Sequence, residues 1–338
     1  MKRWVIFTSC LLLLSGCGIF EQNNSEEPEL IKEVAKNLQV PWSINQSGKD
    51  FYISERVGTI AYIQADGTVE HQKVDFTTPL ATVSEAGLLG FVLKPTFEET
   101  KTAFAYYNYD AGNGPFNRIV TLKLEGEVWK ETAIHLDEIS TGNVHHGGRL
   151  EIGPDQLLYA TIGDASNPQL AQDPDSKNGK IIRLNANNQW ETVSLGHRNP
   201  QGLAWSDDGV LFASEHGQSA NDEINKIEPG SNYGWPLIEG NEEREGFVSP
   251  WLHSGANVTW APSGMAFHKG KLYVAALRGE GILVINPESG ELEDKITGYG
   301  RIRDVFSNGE ELYFVSNNRD GRGTANVDDD KIYQYLAE

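Results

Sequence analysis

The chain has 338 residues and a formal net charge of −20, a balance that repels nucleic acid and anionic lipid heads while suiting divalent cations. Its only cysteines are Cys10 and Cys17, both near the N-terminus, so no disulfide braces the body and a packed core has to. A chain of this length can bury roughly 70% of its unfolded surface, which is enough for one.

In chain order, the first segment is MKRWVIFTSCLLLLSGCGIF. Lys2 and Arg3 precede an apolar run from Val5 to Leu14, and a small-residue site, Leu14-Ser15-Gly16, ends at Cys17. The pattern is that of a signal peptide over residues 1–16. Its apolar run is shorter than the about 20 residues a membrane-spanning helix needs. A cysteine at the cleavage point resembles the lipobox of bacterial lipoproteins. That resemblance implies an extracytoplasmic protein lipidated at Cys17 and anchored to the cell membrane. Residues 17–35, with the polar stretch Glu21–Glu29, are expected to form a flexible tether.

From residue 36 to 338 no helical periodicity of convincing length appears. Short alternating or apolar runs recur instead, broken by Gly, Asn, Asp and Pro. Six phrases share one layout, beginning near Trp42, Gly90, Arg149, Gly202, Gly264 and Arg303. Each is a strand, a turn and an apolar-aromatic strand, and each is followed by a second strand pair. Six units of four strands predict an all-β fold, a six-bladed β-propeller with four antiparallel strands per blade, in one domain. A barrel or sandwich would not produce that recurrence.

Polar residues of an unusual kind stand at the ends of the first strands: NVHHGGRL at 143–150, TIGD at 161–164, GHRNPQG at 196–202 and SEHGQSANDEIN at 214–225. Histidines in such turns are often no more than hydrogen-bonding partners. A set holding imidazole, carboxylate, guanidinium and carboxamide at matching places in two units points further, to a site. Zinc finds no HExxH or paired-Cys spacing. Calcium is better served, by Glu215, Asp222, Glu223 and carbonyls beside glycine. No GxSxG elbow, Walker motif or dinucleotide-binding glycine pattern is present.

The segments HHGGRL, TIGD, GKIIRLN, GHRNPQGLAW, EHG, DEIN and NYGWP, in this order, resemble the soluble PQQ-dependent sugar dehydrogenases, the glucose/sorbosone dehydrogenase family. In length the chain looks most like the compact aldose sugar dehydrogenases. The resemblance implies a six-bladed propeller and oxidation of an aldose to its lactone, with hydride transfer to PQQ and electrons passed to an external acceptor. It implies His145 as the general base, a role that suits an imidazole of free pKa about 6.5. Asp164 would orient that ring, and Arg198 would stabilise the developing oxyanion. It also implies cofactor contacts from Glu85, Arg198, Asn199, Thr259, Arg278, Arg301 and Arg303. Calcium would be held by the carbonyls of Gly217 and Gln218, and a second calcium by Glu223 and the carbonyl of Tyr233. Three positions depart from the family pattern: Glu85 replaces a glutamine, Arg278 a lysine and Gln218 a proline. Glu85 would repel an anionic cofactor unless it is bonded to a base. The expected partners are an aldose, the electron acceptor and the membrane through its lipid alone; the expected state is a monomer. The competing functions are a cofactor-free binding or sensor lipoprotein, and a calcium-dependent lactonase, since a propeller alone does not name a chemistry.

Overall fold

The computed structural model describes Met1, residues 30–112 and residues 114–336. Cys17, the signal segment and most of the expected tether lie outside the described residues. Within them the chain is almost wholly β, with one helical turn at Phe97–Thr100 and one 3-10 turn at Pro168–Ala171. No helix among the described residues is long and apolar enough to cross a membrane.

The strands form four sheets of four and one sheet of eight. The eight-stranded sheet consists of two antiparallel sets of four, over residues 41–75 and 88–140. They are joined edge to edge where Val69–Asp75 runs parallel to Val128–Ser140. Sequence periodicity reports which face of a strand is apolar, and is silent about an edge pairing of this kind.

The ring closes through the N-terminus. Ile31–Ala35, placed in the tether by the sequence reading, is a strand that pairs with Ile332–Tyr335 as the outer edge of the last sheet. Ile31 and Ala35 are buried there, so the tether ends before residue 31. Apolar clusters seal each set against the next. Leu89 and Tyr106 meet Leu150 and Ile182, for example, while Ile44 and Ile53 meet Tyr313 and Ile332 across the closure.

A second departure lies in residues 223–253. Glu223–Ile227 is a strand, but its outer partner is only Leu252–His253. The intervening NYGWP, expected to complete a strand pair, is irregular. Pro229 and Pro236 remove ladder donors, and Gly230 and Gly234 take positive φ. The excursion carries Trp235 over the mouth of a neighbouring sheet.

The first strand of each set faces a common axis. Along Gly147–Ile152 the period-two alternation sends Leu150 into the core between sheets and Arg149 inward. Arg149 reaches three other inner strands there. Its Nη1 donates to Ser43 Oγ at 3.1 Å and its Nε to the Gln201 carbonyl at 2.9 Å. Its Nη2 lies 3.1 Å from Asp304 Oδ1. The guanidinium also stacks over Trp42, 4.3 Å from the ring centroid. This buried pair fills the middle of the axis.

Candidate functional site

The turn before Gly147–Ile152 is built by close backbone approach. A side chain on Gly163 would place its Cβ 2.0 Å from the His145 carbonyl oxygen, so only glycine lets TIGD lie against NVHHGG. His145 itself has φ of 65°, a conformation rare outside glycine and commonest at functional sites.

That geometry sets the His145 ring against Asp164. Nδ1 donates to Asp164 Oδ1 at 2.8 Å, with the imidazole partly exposed and the carboxylate fully buried. Asp164 is held in turn: Oδ1 accepts from the Ser166 N–H at 2.8 Å and Oδ2 from Trp235 Nε1 at 2.9 Å. The carboxylate therefore fixes one tautomer, leaving His145 Nε2 as a lone-pair acceptor. His145, Asp164, Arg198, Gln218 and Trp235 line one cleft of about 650 Å³.

Arg198 faces the same cleft, its guanidinium 5.4 Å from the Trp235 ring centroid. Nη1 donates to the His216 carbonyl at 3.2 Å, while Nε is buried with no partner. Burial lowers its pKa, opposed by the charges of Asp164 and Glu215. The carboxamide oxygen of Asn199 accepts from the Gly147 N–H at 3.0 Å. His216 Nε2 is also buried without a partner, and burial pushes that ring down to about 4, so it is neutral.

The other histidines of the motifs are committed. His146 Nε2 lies 2.9 Å from the Ser84 carbonyl and must donate to it, so Nδ1 accepts from the Thr141 hydroxyl at 2.6 Å. Burial lowers its pKa further. His197 is fully buried, with Nδ1 on Glu215 at 2.7 Å, Nε2 on Ser194 at 2.8 Å and its ring stacked on Tyr233.

Beside the cleft, residues of four sheets bring arginines together. Arg301 gives Nε and Nη2 to Asp320 at 3.2 and 2.7 Å, and Nη1 to the Leu277 carbonyl at 3.2 Å. Arg303 gives Nη1 to Gln201 at 2.9 Å. With the Asn317 amide oxygen turned toward it, Arg303 also gives Nε and Nη2 at 3.0 and 2.9 Å. Burial, then the charge of Arg56, pushes Arg303 down to about 9. Glu85 is paired with Arg322 at 2.5 Å. Burial alone would raise that carboxyl, but Arg322 wins and holds it down to about 2. Arg56 and Arg322 line this region and were absent from the sequence-derived set. The ER of ISER at 55–56 and the GRG of residues 321–323 give no local sign of converging.

Arg278 is not brought to either pocket. It is exposed, and its side chain has no partner among the described residues. Thr259 Oγ1 is spent on Asp222 Oδ2 at 2.8 Å. Asp222 also accepts from the N–H groups of Gly217, Trp260 and Ala261, so it ties the Gly217 turn to the Thr259 segment. Glu215 is equally committed, to His197 and to the Arg198 N–H. These two carboxylates, suited to calcium by their sequence context, act as internal hydrogen-bond acceptors.

Among the described residues no group of three or more His, Cys, Asp or Glu side chains converges as a metal site. The carbonyls of Gly217, Gln218 and Tyr233 accept no hydrogen bond among the described residues, so they stay available to a cation. Glu223 is buried, and among the described residues its carboxyl is bonded only to Asn225 and the Gly240 N–H, each at 3.3 Å. Burial, reinforced by Glu215, pushes it up to about 8. A planar anion with carbonyl edges fits the unpaired donor Arg198 Nε and the surplus of guanidinium. A calcium ion fits the Gly217 and Gln218 carbonyls only if other ligands arrive with that anion.

The family model for glucose / sorbosone dehydrogenase matches residues 38–325. The aldose sugar dehydrogenase YliI of Escherichia coli is 30% identical over 284 residues, 70% of this chain and 73% of that protein. Quinoprotein glucose dehydrogenase B of Acinetobacter calcoaceticus is 32% identical over 210 residues, 51% of this chain. That match spans 44% of the Acinetobacter protein's length. Among solved structures, the PQQ-bound aldose sugar dehydrogenase of Streptomyces coelicolor superposes with a TM-score of 0.81 at 34% identity, covering 90% of this chain and 97% of that one.

Proposed function

The chain belongs to the glucose / sorbosone dehydrogenase family, and on that premise we propose that it is a quinoprotein oxidising the anomeric carbon of aldoses to lactones. Electrons then leave to an external acceptor. The observation that carries the reading is the His145–Asp164–Trp235 relay, which leaves His145 Nε2 free at a cleft shared with Arg198. The fold reading that accompanies it is a six-bladed propeller. The eight-stranded sheet supplies two blades joined at their edges, and the N-terminal strand completes the last blade.

PQQ, when bound, supplies the two-electron acceptor for the hydride of the anomeric C–H bond. The protein's part is proton handling and positioning. His145 Nε2 takes the anomeric hydroxyl proton, and Asp164 stabilises the imidazolium that results. The Ser166 N–H and the Trp235 indole also donate to Asp164 and hold its carboxylate in place. Arg198, whose Nε is buried without a partner, would stabilise the negative charge that develops on the cofactor, and its burial would make that charge count for more than in water. Asn199, Arg301 and Arg303 would hold the cofactor's edge, while Thr259 acts through Asp222 on the Gly217 turn. The Gly217 and Gln218 carbonyls would hold calcium against the cofactor, and Glu223 with the Tyr233 carbonyl a second ion. The protein works outside the cytoplasm, attached through Cys17.

The test is reconstitution: PQQ and calcium are added to the purified chain, and aldose-dependent dye reduction is followed. Reduction with aldoses supports the reading. Lactone hydrolysis with no dye reduction for any aldose overturns it.

A further inference from the structure

Four guanidinium groups crowd the region between the axis and residues 81–86. Arg56, Arg301, Arg303 and Arg322 all act electrostatically on one another or on shared neighbours there. Among the described residues two carboxylates, Glu85 and Asp320, answer them. A protein of net charge −20 has thus concentrated positive charge in one place, against the cost of bringing buried cations together.

The hydrogen-bonding capacity is unevenly spent. Each guanidinium has five N–H donors in a planar fork. Every nitrogen of Arg301 and Arg303 has at least one partner, among Asp320 and Leu277 for Arg301 and Gln201, Ser263 and Asn317 for Arg303. Arg56 makes only a long contact, 3.5 Å to the Asp320 carbonyl, and Arg322 reaches Ser84 at 3.5 Å besides its pair with Glu85. The largest share of free donors therefore lies on Arg56 and Arg322. These two, with Glu85, are also the walls shared by the axial pocket and a hollow of about 320 Å³ lined by residues 81–86.

We propose that Arg56 and Arg322, rather than Arg278, complete the cationic set that receives the carboxylates of the planar cofactor, with Arg322 also masking the negative charge of Glu85. The proposal rests on the quinoprotein reading above. It accounts for two departures from the family pattern together. A glutamate at position 85 is compatible with an anionic ligand because Arg322 is bonded to it. An exposed arginine at 278 is dispensable because two other guanidinium forks line the pocket. Arg322 acts as a positioning group: its side chain is half exposed, so it can turn toward a carboxylate without dismantling the core.

The experiment is titration of the wild-type chain and variants with PQQ, read as quenching of tryptophan fluorescence, with melting curves to show that each variant is folded. Arg322→Ala is expected to weaken PQQ binding by about ten- to a hundredfold, the scale of one charged hydrogen bond. Adding Glu85→Gln to Arg322→Ala should restore most of that loss, since the unmasked carboxylate causes much of it. Arg56→Gln should cost about tenfold and Arg278→Ala less than twofold. The proposal is overturned if Arg322→Ala binds as wild type, if Glu85→Gln restores nothing, or if Arg278→Ala is the more damaging change. A wild-type chain that binds no PQQ overturns the quinoprotein reading and the proposal together, an outcome distinct from the other three.

Discussion

Two histidine–carboxylate pairs lie in successive motifs of this chain, and their chemistry on paper is the same. His145 donates to Asp164 at 2.8 Å and His197 donates to Glu215 at 2.7 Å. The rings differ in what the second nitrogen meets. For His197 it is the Ser194 hydroxyl, in full burial under the Tyr233 ring. For His145 it is the cleft. A carboxylate behind an imidazole makes a proton acceptor only where the far nitrogen is left open; otherwise the pair is a buried strut that holds the Arg198 turn.

That contrast can be broken by measurement. His145→Ala should lower kcat by about 10²–10⁴ with PQQ binding unchanged. His197→Ala should act on stability, because it removes one of the two donors to the buried Glu215 carboxylate, a loss of about 1–3 kcal/mol. If His197→Ala leaves the melting temperature intact and abolishes turnover, the two pairs have been assigned the wrong way round. Arg198→Ala comes next, with about 10²–10³ lost from kcat and no shift in the pH profile, since it carries charge and moves no proton. A shifted low-pH limb in that variant would tie Arg198 to the base itself.

Smaller effects sharpen the same comparison. Trp235→Phe removes one donor from Asp164 while keeping the ring, and should cost about fivefold in kcat; no change would mean that Ser166 alone holds the carboxylate. His146→Ala should cost less still, since both of its ring nitrogens are committed inside the protein. A loss matching that of His145→Ala would reassign the base.

Glu223 yields the smallest expected shift, in stability. Its folded pKa, pushed up to about 8 by burial, lies above the unfolded carboxylate value of about 4.3. The folded state therefore binds the proton more tightly, and this contribution is present below about pH 4 and lost as pH rises through 8. Glu223→Gln should flatten that decline. Calcium, binding the ionised form, should raise the melting temperature more at pH 9 than at pH 6. An EDTA-insensitive melt at both values counts against a cation at Glu223.

The order of the motifs and the strand alternation were legible in the chain alone. Turn glycines and period-two alternation point to a nearly all-β chain, because strand faces and tight turns are local properties of neighbouring residues. His145, Asp164 and Arg198 are singled out by the motifs HHGGRL, TIGD and GHRNPQG and by their resemblance to a family, and the fold brings the three to one cleft. What local pattern cannot encode is which distant edges and side chains meet. Ile31–Ala35 became a strand by pairing with the far end of the chain, and Trp235 reached Asp164 across 71 positions. Arg322 reached Glu85 across more than two hundred. Tertiary structure alone decided those meetings, because closing the ring sets the distances and burial sets which charges must be answered.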